Sequence, residues 1–252
     1  MTAPTFKQAM LNQVRYINPF DTDFPPISQA ATDPDGLLAI GGDLSPKRLI
    51  LAYQQGIFPW FNEGEPILWW SPSIRGVLEF RDFRINRTFA KFLKKNPYKV
   101  TINQAFSQVI LNCQQVKRNG YEHAGITWIT NDMVNAYVQL HRLGHAHSLE
   151  VWEMTQKGEQ LVGGLYGVVA GSVFCGESMF HLKSNASRVA YAYLVYWLEK
   201  HNGAFIDCQM QNDFLETLGV SELRRDLYLE KLAIARQVEL PKTMWQPQTI
   251  DY

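Results

Sequence analysis

The sequence predicts a small, irregular N-terminal domain over residues 1–73 followed by a mixed α/β or α+β sheet domain over residues 74–252. Three observations lead there. The first seventy residues are broken repeatedly by Pro, Gly and Trp. Regular apolar periodicity begins only near Ser73. From that point helices, antiparallel strands, a helix and a strand follow one another. With 252 residues and 46% hydrophobic content, the chain is long enough to bury a substantial core.

The N-terminal domain is expected to hold a single helix, about Pro46 to Gln55, because Ser45 offers an N-cap oxygen and Pro46 suits the first helical position. Around it, DPDGLLAIGGDL and GIFPWFNEGEPILWWSP place glycines at turns among accumulating aromatics. RGVLEF then reads as a strand, and Phe89, Phe92 and Leu93 fall at helical spacing on a basic helix. YKVTIN leads into a helix capped near Asn103 or Ser107, with a stripe of Ala105, Phe106, Val109, Ile110 and Cys113. VKRNGYEHAG is a polar loop, ITWIT a short strand, and Thr130 or Asn131 caps a helix running to a stop at Gly144. SLEVWEM, QLVGGLYGVVA and SVFCGESMF are strands, the last two joined as a hairpin at Ala170-Gly171. Asn185 or Ser187 caps a helix striped by Val189, Tyr193, Tyr196 and Trp197, with a stop at Gly203. AFIDCQM is a further strand. FLETLG and LRRDLYLEKLAIAR form a final helical region, and a polar tail follows.

Composition narrows the function classes. The three cysteines form no C-x-x-C pair and sit in apolar contexts, which reads as reduced, buried thiols and a cytoplasmic setting. No signal-type apolar region opens the chain, and no run of about eighteen apolar residues occurs, so a membrane span is not expected. Twenty-four Lys and Arg balance twenty-four Asp and Glu, so any attraction to nucleic acid must come from a local patch. One such patch runs through Arg81, Arg84, Arg87, Lys91, Lys94, Lys95 and Lys99 against the single acid Asp82. It fits either the solvated face of an amphipathic helix or a phosphate-binding strip.

Two carboxylates stand out. Alternation places Glu177 on one strand face with Val173, Cys175 and Met179, while Asp207 shares a face with Phe205 and Gln209 in AFIDCQM. A buried, unpaired carboxylate costs several kcal/mol, so each needs a counter-ion, a ligand or a cleft. The aromatic run Tyr53, Phe58, Trp60, Phe61, Trp69 and Trp70 is too large for a small domain to bury fully, and an outward ring beside the basic helix would suit stacking on a base. VGGLYG lies inside a strand and lacks phosphate-loop spacing. His141, His145 and His147 span a helix end without metal-site geometry, and no nucleophile elbow occurs.

In order along the chain, PDGLLAIGGDLSP, AYQQGIFPWF, ILWWSP, LGHAHSLEVW, VFCGESMF and FIDCQMQND resemble the leucyl/phenylalanyl-tRNA-protein transferase family, from about Phe24 to about Tyr228. The resemblance implies a small N-terminal domain joined to an α+β domain of the GNAT acyltransferase type. It implies transfer of leucine or phenylalanine, less often methionine, from aminoacyl-tRNA to the α-amine of proteins beginning with arginine or lysine, which marks them for degradation. No cofactor or metal is implied. Tyr53, Trp60, Trp128 and Tyr137 would hold the terminal adenosine and frame the pocket. Leu165, Phe174 and Met179 would line the cavity for the amino-acid side chain. Glu177 would take the donor's amino group, Asp207 and Gln209 would sit beside the attacking amine, and Arg81, Arg84, Arg87, Lys91, Lys94 and Lys95 would meet acceptor-stem phosphates. Rival readings are an acetyl-CoA-dependent N-acetyltransferase on the same fold, and a non-catalytic RNA-binding module.

Overall fold

The computed structural model describes residues 14–21, 23–115 and 128–252, which form two sheets. The smaller sheet has β1 (Arg15–Ile17), β2 (Leu37–Gly41), β3 (Phe58–Pro59) and β4 (Leu68–Trp70) in the order β1-β2-β4-β3. Its helix α1 (Pro46–Gln54) starts as the sequence dictates, with the Ser45 hydroxyl accepting from the Arg48 N–H at 3.4 Å. Trp69 anchors this sheet: it is fully buried, its indole N–H donates to the Gly41 carbonyl at 2.9 Å, and Phe24 meets it edge-on at 4.9 Å.

The larger sheet comprises β5 (Ile74–Leu78), β6 (Lys99–Ile102), β7 (Ala146–Thr155), β8 (Gly158–Ala170), β9 (Val173–His181), β10 (Phe205–Gln209), β11 (Ser221–Arg224) and β12 (Gln248–Thr249). Their order is β11-β5-β10-β9-β8-β7-β6-β12, antiparallel everywhere except between β9 and β10. On one face lie α3 (Phe106–Gln115), α4 (Asn131–Arg142) and α7 (Arg225–Ala235), and their apolar cluster continues through Leu49, Ala52 and Tyr53 of α1 into Trp69. On the other face lie α2 (Arg87–Leu93) and α5 (Ala186–Lys200), packed on Leu165, Phe174 and Ile206. A short helix α6 (Asp213–Thr217) follows β10.

Several expectations need correction. Trp128–Thr130 of ITWIT is not a strand, because Thr130 turns its hydroxyl to cap α4, accepting the Met133 N–H at 3.2 Å. Ile126, Thr127 and all of the polar loop before them lie outside the described residues. Leu223 and Arg224, read as the start of a helix, belong instead to Ser221–Arg224, which pairs with β5 as an edge strand. Helix α3 begins at Phe106, so Ser107 is not its cap. Asn103 takes a left-handed φ of 56°, and its amide ties Ser148 N–H to the Trp245 carbonyl. The start of α3 is served by Glu150, fully buried on β7, whose carboxylate accepts from the Gln104 N–H and the hydroxyls of Thr101 and Ser148. Burial pushes the Glu150 pKa up against those bonds. Helix α5 is buried nearly all round rather than along one stripe, and it ends at Lys200, short of Gly203. The tail is not simply polar. Met244, Trp245 and Ile250 are buried, and Trp245 stacks on His147 at 4.1 Å.

Candidate active site

The site follows from an interruption in strand pairing. Parallel strands β9 and β10 pair only over Val173–Cys175 and Phe205–Asp207. Beyond that, β9 runs on beside β8 while β10 ends at Gln209, so the two strands separate. Glu177 and Gln209 stand at the notch this leaves in the middle of the sheet. Here β9 also carries a bulge: Gly176 faces Gly167 and Ser178 faces Tyr166, leaving Glu177 as the extra residue. The bulge corrects the simple alternation. Val173, Cys175 and Glu177 face the layer of α1 and α4, whereas Met179 turns to the opposite layer with Phe174 and Leu165.

Glu177 has no cationic partner in the described residues. Its carboxylate accepts from the Tyr53 hydroxyl of α1 at 2.7 Å, the Tyr137 hydroxyl of α4 at 3.1 Å and the Gln209 side-chain amide at 2.7 Å. Tyr53 and Tyr137 also hydrogen-bond to each other, their rings edge-on at 6.5 Å. Two hydroxyl protons thus serve three contacts, and a proton on Glu177 would complete the set. Burial is the main cause that pushes the Glu177 pKa up to about 7. The bonds from Tyr53, Tyr137 and Gln209 oppose the rise, and the nearby charge of Asp207 adds to it. Residue 177 nevertheless stays partly open to solvent.

Asp207 is in the opposite situation. It is fully buried, and both of its oxygens are engaged. Oδ1 accepts from Arg75 Nε at 2.8 Å and from the Gln209 N–H at 2.9 Å, while Oδ2 accepts from Arg75 Nη2 at 2.7 Å and from the Tyr228 hydroxyl at 2.8 Å. Burial alone would raise the Asp207 pKa, but the Arg75 charge and these bonds hold it below the ordinary carboxylate value. Of the two alternatives open at the level of sequence, Asp207 takes the buried ion pair and Glu177 does not. Gln209 joins the two groups, donating its side chain to one and its backbone to the other.

The other candidate residues divide between the two layers. Tyr53, Tyr137, Trp60 and Trp128 belong to the face of Glu177, with Trp60 half-buried and 5.8 Å from Trp70. Leu165, Phe174 and Met179 belong to the opposite layer, where Leu165 and Met179 are cross-strand partners and Phe174 lies 6.1 Å from Trp245. Arg84, Arg87, Lys91, Lys94 and Lys95 are exposed and make no ion pair among the described residues, whereas Arg81, also exposed, pairs with Glu79 at 3.0 Å. His141 bonds the Ala146 carbonyl at 2.9 Å and stacks on Phe106 at 4.3 Å, and burial pushes the His147 pKa down to about 3.

Sequence reasoning missed Arg75 and Tyr228. The signal for Arg75 was available: it is a charged residue opening an apolar strand, the same anomaly that drew notice to Glu177 and Asp207.

Comparison with known proteins agrees with this architecture. Residues 77–233 match the model of the family described as leucyl/phenylalanyl-tRNA protein transferase, and residues 42–73 match that family's N-terminal domain. A leucyl/phenylalanyl-tRNA–protein transferase of Pseudoalteromonas atlantica is 52% identical over 227 residues, covering 90% of this chain and 94% of the relative. Another, of Pseudoalteromonas translucida, is 49% identical over 244 residues, covering 96% and 98%. Among solved structures, FemX is similar in fold, with a TM-score of 0.50 at 10% identity over 71% of this chain and 66% of that one. That likeness, together with the mixed sheet and its flanking helices, agrees with an α+β fold. No described helix is long and apolar enough to cross a membrane. With family matches over residues 42–73 and 77–233 and about half the residues shared with named relatives, the chain belongs to the leucyl/phenylalanyl-tRNA protein transferase family and is an aminoacyltransferase.

Proposed function

We propose that this enzyme transfers leucine or phenylalanine, less often methionine, from aminoacyl-tRNA to the α-amine of cytoplasmic proteins beginning with arginine or lysine, marking them for degradation. Aminoacyl transfer from tRNA to protein follows from the family. The finer assignment rests above all on Glu177, a carboxyl group without a cationic partner among the described residues, held by three donors where β9 and β10 separate. Residues 1–73 and 74–252 act as two domains, with the aromatic residues of the first closing over the notch of the second.

The donor's ammonium takes the place opposite Glu177, where a carboxylate in a desolvated cleft recognises it by a charge-assisted hydrogen bond. The donor's side chain passes through the notch toward Leu165, Phe174 and Met179, where apolar size selects it. Trp60 and Trp128, with Tyr53 and Tyr137, frame the terminal adenosine. Gln209 donates its amide N–H to Glu177, which leaves its carbonyl oxygen to accept an N–H of the attacking amine. An α-amine has a reference pKa near 8, so at pH 7 only about a tenth is ready to attack. The amine nitrogen bonds the ester carbonyl carbon, the bond from that carbon to the ribose oxygen breaks, and one proton passes from nitrogen to that oxygen. All four acceptor positions of Asp207 are filled, so it anchors Gln209 and does not receive this proton.

The test is transfer to a peptide beginning with arginine, using radiolabelled leucyl-tRNA in one arm and labelled acetyl-CoA in the other. Label from the tRNA arm alone is expected. Transfer from acetyl-CoA would favour an N-acetyltransferase, and RNA binding without transfer would favour a binding module.

The cations of α2 and its flanks supply the acceptor-stem contact, since a local strip attracts phosphate even on a neutral protein. Reversing the charge at Arg84 and Lys91 together is expected to weaken tRNA binding and to lower the slope of log affinity against log salt by about two, at roughly 0.9 per phosphate contact. Preference for leucine should stay the same. Unchanged affinity at low salt would remove this strip from the tRNA interface.

A further inference from the structure

Gln209 sits in backbone geometry that its sequence does not favour. Its φ is 61°, in the left-handed region where a residue with a β-carbon is strained by about 1–2 kcal/mol. The pairing of β10 with β5 also slips at this point, from Asp207 opposite Val77 to Gln209 opposite Gly76, so that Cys208 is extra. The approach is close there: a β-carbon at Gly76 would come 3.0 Å from the Gln211 nitrogen. This kink carries the Gln209 amide across the notch to Glu177, at 2.7 Å. What holds the kink is the bond from the Gln209 N–H to Asp207, and Asp207 is in turn held by groups from outside its own strand.

Arg75 is the chief of these. Its guanidinium grips Asp207 with two parallel bonds and donates to the Gly56 carbonyl at 3.2 Å. It lies between the rings of Phe58 at 4.8 Å and Tyr228 at 4.6 Å. Gly56 and Phe58 belong to the small sheet and its connections, whereas Tyr228 belongs to α7, so the clamp draws on three regions of the chain. A β-carbon at Gly56, where φ is 74°, would lie 2.8 Å from the Tyr228 ring, so the close approach depends on glycine. A fully buried pair could have been replaced by apolar side chains without loss of stability, which invites a reason for keeping it.

We infer that Arg75, assisted by Tyr228, is a positioning residue for aminoacyl transfer, fixing Asp207 so that Gln209 is held in its kinked conformation beside the attacking amine. This rests on the proposed role of Gln209. Arg75 reaches no open surface and touches no substrate itself.

The test uses the full chain with leucyl-tRNA and a peptide beginning with arginine, and compares Tyr228→Phe, Arg75→Lys, Gln209→Ala and the double variants with Gln209→Ala. Tyr228→Phe removes one of the four bonds to Asp207 while keeping volume, and kcat should fall about tenfold with KM for leucyl-tRNA unchanged. Arg75→Lys keeps the charge but loses the fork, and kcat should fall a hundredfold or more. In the Gln209→Ala background neither substitution should lower kcat further, because the clamp acts through Gln209. Full kcat in both single variants, or costs that add to that of Gln209→Ala, would overturn the inference even if melting temperatures drop. Absence of transfer by the unmodified protein would instead overturn the functional reading on which it depends.

Discussion

Glu177→Gln is expected to lower kcat/KM for leucyl-tRNA by roughly thirtyfold to a thousandfold. This corresponds to the 2–4 kcal/mol typical of truncating one partner of a buried, hydrogen-bonded charge pair, at 1.4 kcal/mol per decade. The substitution keeps size and most hydrogen bonding, so the loss isolates the charge. Use of the acceptor peptide should change much less. The pH dependence gives an independent check. With the Glu177 pKa raised to about 7, the group is neutral below that pH and cannot hold an ammonium, so donor kcat/KM should fall as pH drops through 7. In Glu177→Gln that limb should flatten. Stability moves the other way. Between the ordinary value of 4.5 and about 7 the folded protein keeps a proton that the unfolded chain has released, so this group makes the fold less stable as pH rises through that window. The melting temperature of Glu177→Gln, measured against pH, should lack that decline.

Asp207→Ala is expected to abolish useful turnover and to destabilise the fold together. Removing the carboxylate leaves the Arg75 guanidinium buried and unpaired, a loss of about 3–5 kcal/mol. At roughly 2–4 °C per kcal/mol for a chain of this class, the melting temperature should fall by about 10 °C. Turnover measured well below the melting temperature should still drop a hundredfold or more, because the kink at Gln209 loses its anchor. A simple reading of Asp207 as an exposed base would predict lost turnover in an unperturbed fold. The sign of the pH effect also separates the two carboxylates. Asp207 has a lowered pKa, so its contribution to stability is present above the ordinary value of 3.8 and is lost on acidification.

Much of this arrangement could be read from local chemistry. Ser45 and Pro46 define the start of α1, Thr130 caps α4, and the Phe106–Val109–Ile110–Cys113 stripe lies against the sheet as its spacing requires. Glu177 and Asp207 stood out because a carboxylate in an apolar strand demands an explanation. What alternation could not supply was the bulge at Glu177, since one extra residue flips every later side chain and no residue type marks the slip. That is why Met179 was expected beside Glu177 and is found in the opposite layer. Arg75 escaped because a cation at the start of a strand, just after a loop, resembles a solvated end. Its burial comes from Phe58 and Tyr228, 17 and 153 positions away in sequence, which only tertiary packing brings together. Trp245 was hidden among polar tail residues whose role in covering His147 depends on the sheet edge they reach.

In the proposed reaction the carboxylate of Glu177 receives the donor's amine where β9 and β10 separate. The most direct measurement is a binding cycle by calorimetry, using a hydrolysis-resistant leucyl-adenosine amide and its analogue lacking the α-amine, each against the unmodified protein and Glu177→Gln. Deleting the amine and replacing the carboxylate are each expected to weaken binding by tenfold or more, and the second change should add little once the first is made. If the amine-free analogue binds the unmodified protein equally well, or if Glu177→Gln keeps the full preference for the amine, the assignment of Glu177 is wrong.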